Sequence, residues 1–185
     1  MFVSDQQRRT EMEEIMKIAI VFDSNTGNTK KIATCIKDTC INEDIVYFGS
    51  PKNIESVDLI FIGTWIDKGT CSKKIQDFIN SLSNQKIAFF ATAGFGQSTK
   101  YFESLAKRFD NLVSSSNQII GHFFCQGKMP LTVRSRYVEM IKEHPDDKQL
   151  QVNIDNFDAA LSHPDEDDLA NAKKFALDMI NCMTK

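Results

Sequence analysis

Five short, nearly unbroken apolar runs, each followed by a segment of different period, constrain this chain more than any other feature. The runs cover residues 17–23, 45–48, 57–63, 86–92 and 118–125. A strand with one wet face alternates apolar and polar side chains, whereas one buried on both faces does not. Between the runs, apolar residues recur at helical spacing. Examples are Ile32, Cys35, Ile36 and Thr39 within 28–40, then Ile75, Phe78, Ile79 and Leu82. A helix over 98–109 turns Phe102, Leu105, Ala106 and Phe109 inward, and the last helix presents Leu169, Ala172, Ala176, Met179 and Met183. Doubly buried strands alternating with helices predict an α/β domain of three α/β/α layers. Its sheet is parallel, with five strands in the order 2-1-3-4-5. In such a sheet ligands lie beyond the carboxyl ends of the strands, so the chemistry belongs in the loops that follow them.

Met16-Lys17 directly precedes the first run, so residues 1–15 read as an extension and 16–185 as the domain. The opening residues carry Asp5, Arg8, Arg9, Glu11, Glu13 and Glu14, and lack the apolar stretch of a secretory signal. No apolar run approaches the ~20 residues that span a membrane. Cys35, Cys40, Cys71, Cys125 and Cys182 are odd in number and never spaced as CxxC, which excludes a disulfide framework and a zinc ribbon. They read as free thiols in a reducing, cytoplasmic setting. The 22 Lys+Arg against 25 Asp+Glu leave a net charge of −3, giving no field to gather nucleic acid. His122, His144 and His163 have no metal-ligand spacing, so no metal is expected.

One stretch departs from the pattern. Residues 126–161 separate the last strand from the last helix, far longer than an ordinary connection. A short helix is expected over 133–142, and Ser162 and Asp165 have the spacing of a capping box for the last helix. Arg134, Arg136 and Lys142 are offset there by Glu139, Glu143, Asp146 and Asp147. They read as a solvated face or as a docking surface.

The loop after the first strand, Ser24-Asn25-Thr26-Gly27-Asn28-Thr29, holds three hydroxyls, two amides and a glycine, with no Lys or Arg. Free N–H groups and hydroxyls at a helix N-terminus hold a phosphate, helped by the helix dipole; an ordinary capped turn is the plainer reading. No G-x4-G-K-[ST] run exists, and Gly94 and Gly96 are followed by Thr99 rather than the third glycine of GxGxxG.

The [ST]-x-T-G-x-T pattern at Ser24, Thr26, Gly27 and Thr29 resembles the phosphate-binding signature of flavodoxins. The resemblance covers about residues 16–125 and the last helix. It implies that this loop wraps the 5′-phosphate of FMN. Thr64-Trp65-Ile66-Asp67-Lys68-Gly69 follows the third strand and holds the sole Trp. The family places an aromatic residue here against the isoalloxazine and a flexible peptide near N5, which implies such roles for Trp65 and Gly69; a packing anchor is the other reading of Trp65. Thr92-Ala93-Gly94-Phe95-Gly96 follows the fourth strand, where flavodoxins contact the ring edge. The usual second tyrosine is absent near Thr99, and Phe95 either replaces it or belongs to the core. Cys125-Gln126-Gly127-Lys128-Met129-Pro130, with Asn156-Phe157-Asp158 and Ser162-His163-Pro164, resembles a subgroup from anaerobic bacteria. Some of its members accompany larger reductases, including bilirubin reduction systems.

These expectations describe an FMN-binding electron carrier that serves a redox partner protein, either a reductase or an electron-accepting enzyme. Two alternatives stand beside it. One is an FMN-dependent NAD(P)H oxidoreductase acting by hydride transfer, and the other is a flavin-free interaction module on the same fold.

Overall fold

β1 (Lys17–Phe22) lies inside the sheet, between β2 (Asp44–Gly49) and β3 (Leu59–Asp67), and β5 (Lys86–Ala93) and β6 (Gln118–Gln126) complete the order β2-β1-β3-β5-β6. All four pairings on this path are parallel. The structure, a computed structural model, describes residues 15–96 and 98–184. The extension expected over 1–15 therefore lies, apart from Ile15, outside the described residues.

The unbroken apolar runs are explained by where alternate side chains go. From β1, Ile18, Ile20 and Phe22 enter one core with Ile32 and Ile36 of α1 (Asn28–Thr39) and Phe175 and Ala176 of α6 (Glu166–Met183). Ala19 and Val21 enter the other, with Ile75, Phe78 and Ile79 of α2 (Lys73–Asn80) and Phe109 of α3 (Thr99–Asp110). β3 and β5 divide in the same way: Phe61 and Phe90 face α1 and α6, while Ile62 and Phe89 face the other core. Burying each such side chain stabilises the fold by roughly 1.5–3 kcal/mol.

Gly63 marks the tightest point. It is in register with Phe22 on one side and Phe90 on the other. A Cβ here would strike the Phe90 ring and the Phe22 side chain.

The structure departs from the sequence reading in three places. Residues 64–67, read as loop, continue β3, whose end pairs antiparallel with a sixth short strand, β4 (Thr70–Cys71). The turn between them has Lys68 at φ 49° and Gly69 at φ 80°, the two left-handed residues of a type I′ hairpin. The long connection holds two helices rather than one, α4 (Leu131–Glu143) and α5 (Lys148–Ala160). α5 docks through Leu150, Ile154, Phe157 and Ala160, whereas no residue of α4 is buried. Finally, α6 is capped by Asp165 with Asp168 as its reciprocal partner, rather than by Ser162 with Asp165.

Gly63→Ala forces two close-packed phenylalanines apart. It is expected to lower stability by about 1–3 kcal/mol, measured by urea denaturation against the parent chain.

Candidate functional site

The loop after β1 ends at Gly27, which caps α1 at φ 90°. That backbone is left-handed, which glycine adopts without the Cβ penalty other residues meet. As a glycine, this N-cap residue has no side chain to bond the first turn. Ser24 Oγ accepts the Lys30 N–H at 3.2 Å, but among the described residues the N–H groups of Asn28 and Thr29 have no protein acceptor. Asn25, Thr26 and Gly27 are exposed beside them. Two orphan donors at the positive end of a helix, with a hydroxyl and an amide alongside, suit an anionic oxygen group.

Other hydroxyls and amides of this loop tie it to its neighbours. Thr29 Oγ1 meets Thr92 Oγ1 of β5 at 2.9 Å in the interior. Asn28 Nδ2 donates to Thr26 Oγ1 at 3.0 Å and to the Lys128 carbonyl at 2.8 Å. Lys31 Nζ donates to the Pro164 carbonyl at 2.7 Å. Between these contacts lies a cleft of 290 Å³ lined by Thr26, Gly27, Asn28, Lys31, Lys128 and the 161–164 link. The loop itself carries no cation, yet two lysines, Lys31 and Lys128, line the cleft beside it. A wider hollow of 520 Å³ beside Ser50, Lys52, Lys74 and Asp77 shares no residue with the three candidate loops and is open to solvent.

Trp65 pairs in register with Thr92 and is half-buried. Its indole Nε1–H donates to Asp23 Oδ2 at 3.1 Å, and Lys74 Nζ stands 3.4 Å from Asp23 Oδ1. Burial opposes ionisation of Asp23, but Ser72, the Trp65 N–H and the Lys74 ammonium outweigh it and hold the carboxyl below its ordinary pKa. Farther along the same segment, Ile66 packs against the α2–α3 core and the Gly69 carbonyl accepts from Arg108 Nη1 at 2.9 Å.

The loop after β5 is braced from the end of β6 and from the long connection. Buried Gln126 and Asn156 both donate to the Gly94 carbonyl, at 3.1 and 2.9 Å, and Met129 lies against Gly94. Phe95 is 44% exposed, so it is not core, and its ring meets Tyr101 edge-on at 6.5 Å.

The family model described as Flavodoxin domain matches residues 19–177. The chain belongs to the flavodoxin domain family. It is 34% identical over 172 residues to the flavodoxin-like domain-containing protein BilS of Clostridioides difficile (strain CD3), spanning 89% of this chain and 97% of that one. It is 30% identical over 183 residues to a protein of the same name from Clostridium symbiosum (strain WAL-14163), with 89% and 96% covered. Oxidised Flavodoxin 2 from Bacillus cereus superposes with a TM-score of 0.58 at 15% identity, over 90% of this chain and 99% of that one, a likeness of fold.

Within this flavodoxin domain, Asp23 and Lys31 border the candidate site although no motif names them, and Gln126, Lys128 and Asn156, quoted above only for a subgroup resemblance, reach it across long sequence separations. His163, Asp165 and Asp168 bring their ligand atoms within 4.8 Å of one another, and the α6 cap accounts for that grouping. Asp168 Oδ2 accepts the Asp165 N–H at 3.0 Å and meets His163 Nδ1 at 2.6 Å. Among the described residues no helix is long and apolar enough to cross a membrane.

The flavodoxin domain's thiols sort by burial. Burial pushes Cys71 up to about 11 and Cys40 up to about 12, and raises Cys35 and Cys125 as well. At about pH 8 these four remain thiols, so the native protein is expected to release one equivalent of thionitrobenzoate from Ellman's reagent, through exposed Cys182. Denaturation is expected to raise the count to five.

Proposed function

We propose that this chain binds one FMN non-covalently beyond the carboxyl ends of β1, β3 and β5 and carries electrons to or from a redox partner protein. The observation that carries the reading is the start of α1, where Gly27 is left-handed and, among the described residues, the N–H groups of Asn28 and Thr29 have no acceptor. The residues fit a 5′-phosphate: Ser24, Asn25, Thr26, Gly27, Asn28 and Thr29 would hold it, with Lys31 and Lys128 as countercharges at the cleft. Trp65 and exposed Phe95 would flank the ring, and the backbone of residues 64–69 and 92–96 would meet its edges. When bound, FMN supplies the redox chemistry, and the protein supplies orientation and exclusion of water.

The end of β6 and the segment after it favour a carrier over a hydride-transfer enzyme. Met129 covers Gly94, and Gln126 and Asn156 hold that loop by its carbonyl. The flank of the β5 loop is thus covered and braced rather than open to a nicotinamide. The free thiols suit a reducing, cytoplasmic setting. The likeness to flavodoxins, which spans most of the chain, supports the same reading.

Titration of flavin-free protein with FMN and with riboflavin tests the proposal. FMN is expected to bind at least about tenfold more tightly than riboflavin, which lacks the phosphate. Gly27→Val, which strains the left-handed cap, is expected to weaken FMN by about tenfold or more. NADH or NADPH alone is expected to leave the bound flavin oxidised, while a reductase reduces it. Fast direct reduction by a nicotinamide nucleotide would make the chain an oxidoreductase, and refusal of FMN would leave an interaction module.

A further inference from the structure

We infer that Asp23 is a positioning residue: its carboxylate, held between Lys74 and the indole N–H of Trp65, fixes the Trp65 ring at the mouth of the site. What Trp65 faces there rests on the flavin reading above; the contact with Asp23 does not.

The need for such a hold follows from where Trp65 stands. β1 ends at Phe22, in register with Gly63, so β3 runs on for four residues without its β1 neighbour. On the other flank Trp65 still pairs with Thr92, and the next residue, Ile66, already pairs with Cys71 of β4. Trp65 is therefore the last residue of β3 in register with the main sheet, and among the described residues no β1 residue pairs with it. A half-buried indole in that position has several rotamers open to it unless something selects one.

Asp23 supplies the selection. Its backbone N–H continues the ladder by donating to the Gly63 carbonyl at 3.0 Å, which fixes where the side chain starts. Its Oδ2 then accepts from Trp65 Nε1 at 3.1 Å, while Oδ1 faces Lys74 Nζ at 3.4 Å. A hydrogen bond to an ionised acceptor is stronger than one between neutral groups. The Asp23 side chain is only 15% exposed, so this bond is partly shielded from water, whereas Lys74 is 74% exposed and contributes less. The carboxylate also lies by the Ser72 side chain at the start of α2, which favours its charge as well. Because Asp23 directly precedes Ser24, one residue holds both the tryptophan and the entry to the phosphate loop.

Trp65 is the sole tryptophan, so emission from flavin-free protein reports on it alone. In Asp23→Ala, Trp65 emission is expected to move to longer wavelength and acrylamide to quench it more strongly, with the far-ultraviolet circular dichroism retained. Asp23→Asn keeps an acceptor oxygen and is expected to restore both readings. FMN affinity is expected to fall about tenfold in Asp23→Ala and far less in Asp23→Asn. In a Trp65→Phe background, Asp23→Ala is expected to add no further loss, because Asp23 acts through the indole. Unchanged emission and quenching in folded Asp23→Ala, or fully additive losses in the double variant, would overturn the inference. If Asp23→Ala does not fold, time-resolved anisotropy of the unaltered protein decides: a held indole follows overall tumbling, and a dominant fast component refutes the hold. A chain that refuses FMN overturns the flavin reading and leaves the emission test of Asp23 in force.

Discussion

The requirement that β1, β3 and β5 be dry on both faces shapes the rest of the molecule. A parallel ladder forces each connection to cross over the sheet, and the helices in those crossovers supply the two covering layers. α1 and α6 cover one face, and α2 and α3 the other. The chain leaves β1 towards the first face and β3 towards the second, so their loops part and a crevice opens between neighbouring strands. Asp23 and Trp65 stand on either side of that parting. The site is thus a by-product of covering the sheet, and its occupants are the residues that happen to leave the strands there.

Much of this was legible in the sequence because the information is local. A doubly buried strand declares itself within six residues, as β1 does, and the phosphate loop gathers its hydroxyls, amides and glycine in six consecutive positions. The hairpin at the end of β3 was less legible. Its turn residues, Lys68-Gly69, lack the Asn-Gly or Asp-Gly signal, and polar Asp67 and Lys68 read as loop. α5 carries a sequence signal of its own, Leu150, Ile154 and Phe157 at helical spacing, with Asp147 accepting the Gln149 N–H at 2.9 Å as cap. The charged residues around it suggested a solvated surface instead.

What could not be read at all was the pairing of distant residues. Asn28 and Lys128 are separated by 100 positions, and Lys31 and Pro164 by 133. No local pattern announces that a carbonyl or an ammonium from so far away will arrive at a given loop. Asn156 becomes a brace only when α5 folds back upon Gly94, where it meets Gln126, which reaches the same carbonyl from the end of β6.

These long-range ties bear on how a ligand would be met. The loop after β1 is fastened to β5 through Thr29, to the segment after β6 through Asn28, and to the start of α6 through Lys31. Its conformational entropy is therefore surrendered when the protein folds, not when a ligand arrives. A binding site settled in advance loses little affinity to ordering and needs little rearrangement on encounter. The long connection is no mere appendage to the fold but acts as preorganisation: it holds the site in its receptive shape.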